Sequence, residues 1–348
     1  MKLKFILLAA AVALLTACST GDTTVNTDDK QSDPVTSTTE KTTAAEETSD
    51  AAATEEPVKE PYPEANPEED FEYFMEEMYY GGYEVRIKGY NGSSPDVVIP
   101  ETIEDWPVVE IGKAAFKDNT LITSVTVPES VDTIGQEAFY GCKGLVAVTL
   151  YNHGFLRLGV SAFHYCESLT SINLPEYMDD IPVLGFACCS SLTQIDIPGN
   201  IYYIGDSAFI SCTSLSRVGI YEGEKIFGLE KIGPYAFADC PSLESVYIPS
   251  TVEKVELMAF GLCRSLSDVT IADGVQEIHA GAFFDCRAMT ELTVPDSVVT
   301  IGEGSIGFQL VEGSEIDYEP VPSFTLYCSA GSAAEEYAIE YDVPYTII

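Results

Sequence analysis

The side chains able to do chemistry are three histidines, ten cysteines and 56 aspartates and glutamates, set against only 17 lysines and arginines. His153, His164 and His279 stand in unrelated sequence contexts, which predicts solvated surface residues and no shared site. Neither G-x-S-x-G nor H-E-x-x-H occurs, and no acidic stretch has EF-hand spacing. Paired carboxylates suit glycoside cleavage, but nothing among the acids distinguishes one pair. Seven cysteines (Cys142, Cys166, Cys189, Cys212, Cys240, Cys263 and Cys286) recur at steps of 24, 23, 23, 28, 23 and 23 residues. Stacked on neighbouring turns of a repeat, their Cβ atoms would stay about 5 Å apart, beyond the roughly 3.8 Å of a disulfide. The ladder therefore reads as small buried apolar groups with weak S–H donors. No C-x-x-C spacing is present, the adjacent Cys188 and Cys189 are not a zinc arrangement, and Cys328 stands apart. The expectation is a protein that is not an enzyme, with no catalytic residue, no metal and no cofactor.

The elements that hold these residues begin with an address. Lys2 and Lys4 precede an apolar run that ends in Leu15-Thr16-Ala17-Cys18. A basic start, a short apolar stretch and small residues make residues 1–17 a secretory signal peptide. The thirteen residues from Phe5 to Ala17 fall short of the roughly 20 that a membrane-spanning helix needs. The L-T-A-C run resembles the bacterial lipobox, which implies that Cys18 is lipidated and becomes the first residue of the exported chain. Two acyl chains hold firmly where one is marginal. A formal net charge of −39 repels anionic lipid, so contact with the membrane is expected through the lipid anchor only. The same charge argues against a nucleic-acid partner, because phosphate binding needs clustered positive charge.

Residues 18–66 form a Thr/Ser-rich acidic linker. From Cys18 to Asp70 there are fifteen acids and three bases, with almost no large apolar side chain before Asn66. Such a segment cannot bury enough surface to offset its ordering entropy and is expected to be disordered. As a flexible chain it would reach roughly 40 Å, and self-repulsion would stretch it further.

Residues 67–348 are periodic. Phe116, Phe139, Phe163, Phe186, Phe209, Phe237, Phe260 and Phe283, with Ile306 in register, recur at steps of 23, 24, 23, 23, 28, 23, 23 and 23 residues. Five residues before each anchor stands Ile, Leu or Val; three after it comes the cysteine column, headed by Asn119. Apolar residues nine and eleven after the anchor alternate with polar ones, the period of a half-buried strand. The proline that often follows (Pro128, Pro175, Pro198, Pro249, Pro295) lacks an N–H and ends the pairing. The Gly-x-x-Ala-Phe stretch reads as a tight turn into a short helical turn. A 23-residue unit cannot bury its own apolar face, but stacked units share one core. The fold class is thus an α/β repeat solenoid of about 23-residue units with parallel strands, roughly 40 Å long at about 4.8 Å per rung.

"VTVPESVDTIGQEAFYGCKGL" from residue 125 and "LTVPDSVVTIGEGSI" from residue 292 resemble the BspA-type leucine-rich repeats of bacterial surface proteins. The stretch from residue 96 looks like that family's first unit, and residues 323–348 like its closing cap, a strand followed by an amphipathic helix near Ala333 to Tyr341. The resemblance implies an exported or surface-attached, non-catalytic binder, and carries over no site residue.

Outward positions lie eight and ten residues after each anchor. Most are small and hydroxylated, but the middle of the array is not: Gln194, Asp196, Arg217, Tyr247 and Asp268 form the candidate ligand-binding face. The 28-residue step adds a candidate binding loop with Tyr221, Lys225 and Phe227. A second insertion, from about Gly307 to Pro322, is expected to shield the last repeat's apolar edge. The partner expected is an extracellular protein or glycan. The alternative is an envelope scaffold with no external ligand.

Overall fold

The computed structural model describes residues 61–348, apart from 152–153, 179, 222–227 and 315–316. The signal peptide, Cys18, His153, Lys225 and Phe227 therefore lie outside the described residues. Residues 61–66, expected in the disordered linker, are already docked. The Tyr62 hydroxyl donates to the carbonyls of Ile99 and Thr126, and Asn66 exchanges hydrogen bonds with the Val98 backbone.

The remainder is a leucine-rich-repeat solenoid. Most coils contribute a two-residue strand before the anchor and a three- or four-residue strand after it, so the coils build two parallel ladders. The first ladder runs through Trp106–Ile111, Thr133–Ile134 and Arg157–Leu158, then restarts at Asp180–Ile181 and continues to Thr300–Ile301. The second runs from Asp96–Val98 to Ser171–Ile172, and restarts with Gln194–Ile197, Arg217–Ile220, Ser245–Ile248 and Asp268–Ile271. The break in the first ladder has a cause in the sequence. Gly135, Gly159, Gly205 and Gly233 each donate N–H to the preceding coil, and Pro182, in the same column, has no N–H to give. At two glycines of that column the preceding coil comes close: a Cβ on Gly159 would sit 2.3 Å from the Gln136 nitrogen, and one on Gly205 2.6 Å from that of Val183, whereas Glu256 and His279 fill the column further on.

Between the ladders, the anchor segment resolves the expected short helical turn into single i→i−3 turns broken by left-handed residues. Around Phe209, the N–H groups of Ala208, Ile210 and Cys212 donate within the coil to Gly205, Ser207 and Phe209. Those of Ser207, Phe209 and Ser211 donate instead to Pro234, Ala236 and Ala238 of the next coil. Ser207 and Ser211 take φ of 55° and 56° to allow this alternation, and the same two positions are left-handed around every anchor phenylalanine from Phe116 to Phe283. Left-handed backbone costs a non-glycine residue about 1 kcal/mol, and the coil-to-coil hydrogen bonds offset it. This bonding spans the break in the ladders, where Ser161, Phe163 and Tyr165 donate to Val183, Gly185 and Ala187.

The eight phenylalanines are buried in a single column, with successive rings parallel and 4.9–5.5 Å apart. Tyr90, from the antiparallel hairpin Phe71–Glu77/Tyr83–Tyr90, closes the column at its start. At the other end the helix Ala333–Tyr341 begins on Ser332, whose hydroxyl accepts from the Glu335 N–H. The helix lays Tyr337 over Ile306, and the Tyr337 hydroxyl bonds both its N–H and its carbonyl. The hairpin Phe308–Leu310/Tyr318–Pro320 covers the final coils, with Phe308, Val321 and Phe324 buried. It is pinned by Asp285, whose wholly buried carboxylate takes Arg264 at 2.9 Å, Arg287 at 2.8 Å and the Leu310 N–H at 2.9 Å.

Candidate binding face

Parallel pairing in register builds the face. Gln194 lies beside Arg217, Arg217 beside Ser245, and Ser245 beside Asp268; one row over, Asp196 lies beside Gly219 and Tyr247 beside Thr270. On these strands Ile195, Ile197, Val218, Ile220, Val246 and Ile248 point into the core. Gln194, Asp196, Arg217, Tyr247 and Asp268 all face outward from four consecutive strands of one sheet, so the structure brings the five together.

Asp196 is the centre of this patch. Its Oδ1 lies 3.1 Å from Arg217 Nη2 and accepts from the Tyr221 hydroxyl at 3.2 Å. Gly219 makes room for it: a Cβ there would meet Asp196 Oδ1 at 2.3 Å. Arg217 is therefore not an isolated positive charge but one half of an exposed ion pair, worth about 0.2–1 kcal/mol. The guanidinium and the Tyr221 hydroxyl thus converge on one carboxylate oxygen. Tyr221 is 51% exposed and Tyr247 38%. The patch thus presents aromatic faces, a guanidinium fork and carboxylates to solvent.

The histidines correct the expectation of three solvated residues. His164 is buried, 3% exposed, and its Nε2 has no hydrogen-bond partner among the described residues. Its ring stacks on Tyr165 at 4.2 Å and meets Tyr140 edge-on at 5.2 Å. Burial lowers its pKa to about 4, against a smaller opposing pull from Glu137. A partial signal was present: the column directly after the anchors opens with Lys117 and Tyr140, but beyond His164 it holds Ala187, Ile210, Ala238 and Phe284, all buried. His279 is half-buried and bridges Glu256 and Glu277 at 2.9 and 2.8 Å.

All seven ladder cysteines are buried, and each thiol donates to the carbonyl of the preceding anchor, from Cys142 to Phe116 at 3.0 Å through Cys286 to Phe260 at 3.3 Å. Burial pushes the thiols of Cys142, Cys212 and Cys263 up to about 12 and the other four well above their usual range. Asn119, heading the column, instead accepts from the N–H groups of Leu121 and Ile122. Among the described residues, no group of three or more His, Cys, Asp and Glu side chains is placed to hold a metal ion. Nor is any helix among them long and apolar enough to cross a membrane.

The model of the BspA type leucine rich repeat region matches the chain in six copies over residues 109–230 and 230–312. No curated protein matches it. Among solved structures, the chain is similar to a leucine rich repeat protein of T. pallidum, with 27% identity over 65% of this chain and 91% of that one and a TM-score of 0.47. It is also similar to a leucine rich cell surface protein from Faecalibacterium prausnitzii, with 20% identity over 76% and 88% of the two chains and a TM-score of 0.44. The pneumococcal vaccine antigen PcpA is 14% identical over 82% of this chain and 98% of its own, with a TM-score of 0.38. The repeat match spans more than half of the sequence, and the stacked phenylalanine column accounts for its period: the chain belongs to the BspA-type leucine-rich-repeat family.

Proposed function

We propose that this is a non-catalytic, exported lipoprotein, held at the bacterial surface by acyl chains on Cys18, whose solenoid binds an extracellular protein. The observation that carries the binding role is the in-register patch of Arg217, Tyr221 and Tyr247 around Asp196, with both tyrosine rings exposed. Tyrosine and arginine are the residue types that dominate protein interfaces. Here Arg217 and Tyr247 stand on a hydrogen-bonded parallel sheet, which reduces the backbone ordering cost of binding. Support for the surface location comes from the L-T-A-C run at residues 15–18 and the long acidic segment after it, which gives reach away from the membrane.

The test uses the lipidated chain in cells and the same chain without residues 1–18 in solution. Fatty-acid labelling of the wild type, lost in Cys18→Ala together with surface display, is expected; labelling that survives the substitution rejects the anchor. The soluble chain is then screened against immobilised extracellular-matrix and host-cell proteins. Saturable retention of one of them is expected. Retention only of proteins from the producing cell's own envelope would favour a scaffold and reject the reading.

A further inference from the structure

The first ladder carries side chains that the binding face does not use. Tyr203, Lys231 and Lys254 lie side by side on adjacent parallel strands. The residues just before them are stacked too, since Glu230 N–H donates to the Tyr202 carbonyl at 3.0 Å and Glu253 N–H to the Glu230 carbonyl at 2.8 Å. These six side chains line an open cleft of about 370 Å³ crossing three coils. We propose that this cleft is a second site, independent of the Arg217 face, and that its ligand is a neutral oligosaccharide.

Three features point to that chemistry. The Tyr202 ring is 58% exposed beside Glu230, whose carboxylate favours the protonated hydroxyl and raises its pKa. An exposed aromatic face suits the apolar C–H face of a pyranose. The polar groups around it are held in position: Lys231 by Glu256 at 3.0 Å, Lys254 by Glu277 at 3.1 Å, and the Tyr203 hydroxyl by Asp206. Glu230 with Lys231, and Glu253 with Lys254, set a carboxylate acceptor next to an ammonium donor on each of two coils, the kind of few, placed polar groups that orient a small ligand. Rungs about 4.8 Å apart give three coils a span near 10 Å, room for two or three sugar units laid along the solenoid.

Charge then selects among glycans. Within the cleft two glutamates balance two lysines, but both lysines are already paired, Asp206 adds a further acid beside Tyr203, and the chain as a whole carries −39. A uronate, sialylated or sulfated chain is repelled, whereas an uncharged one is not.

The experiment uses the soluble chain from residue 19, with saturation-transfer NMR and calorimetry on uncharged hexaoses of glucose, mannose and N-acetylglucosamine. A hyaluronan oligosaccharide and a short oligolysine serve as charged probes. Binding of at least one neutral hexaose is expected, weakened about tenfold by Tyr202→Ala, the loss of one aromatic contact of about 1.4 kcal/mol. Tyr202→Phe retains most of the affinity, Arg217→Ala with Tyr247→Ala retains all of it, and the melting temperature of Tyr202→Ala is unchanged. No binding of any neutral hexaose at millimolar concentration overturns the proposal. Binding indifferent to Tyr202→Ala, or confined to hyaluronan or oligolysine, also overturns it. The double variant separates the two sites, so failure here leaves the protein-binding face standing, and the reverse.

Discussion

Replacing His164 by phenylalanine should make the protein more resistant to mild acid. The folded state holds this imidazole against Tyr140 and Tyr165, its Nε2 unpartnered among the described residues, and burial drops its pKa from 6.5 to about 4. Above pH 6.5 neither the folded nor the unfolded chain binds a proton here, and the ring contributes no pH dependence. Between pH 6.5 and about 4 the unfolded chain binds the proton and the folded chain refuses it, so stability falls as pH falls. At 1.36 kcal/mol per pH unit, the full loss reaches about 3 kcal/mol below pH 4. Phenylalanine keeps the stacking and removes the titration. Denaturant melts of wild type and His164→Phe from pH 8 to 4 isolate the effect, because the acid response of the carboxylates is common to both. The difference between the two should be flat above pH 7 and grow by about 1 kcal/mol per unit below 6. Parallel curves across the whole range would refute the burial of a neutral His164.

Three further outcomes follow from the core. Phe209→Ala removes a wholly buried ring stacked at 5.3 and 5.1 Å on Phe186 and Phe237, and should cost about 3–5 kcal/mol in denaturant melts. Leu121→Ala, at an exposed position, is the control that should change little. The seven ladder thiols should resist a disulfide reagent at pH 8 in the native protein and react once it is denatured, since all are buried and poorly ionised; rapid native labelling of any of them would contradict the packing. Asp285→Asn removes the buried negative charge and turns one of its two acceptor oxygens into a donor facing an arginine, and should cost about 3 kcal/mol, with hydrogen exchange rising first in the hairpin Phe308–Leu310/Tyr318–Pro320.

The fold was legible because one pattern recurs: a shared core needs the same side chain at the same place in every coil, and the phenylalanine column repeats that demand eight times and the cysteine column seven. The candidate face was legible for the same reason, since strand alternation puts Gln194, Asp196, Arg217, Tyr247 and Asp268 on one side. What the pattern hides is lateral. That Arg217 is neutralised by Asp196 depends on Gly219 leaving space one strand away. Tyr202 with Glu230, or Lys231 with Glu256, are neighbours across coils, and only their columns, read downward, would have brought them together. His164 is hidden as a core residue because its column starts with Lys117 and Tyr140 and turns apolar only after it, at Ala187, Ile210, Ala238 and Phe284.

The binding face is tested most directly by comparing the soluble wild type with Arg217→Ala/Tyr247→Ala for binding to the extracellular protein recovered in the screen. Both residues are partly exposed on a sheet whose core they do not enter, so the melting curves should coincide. Loss of two interface anchors should weaken binding at least tenfold, each anchor being worth about 1–2 kcal/mol. Equal affinity of the two proteins for that partner would contradict the account.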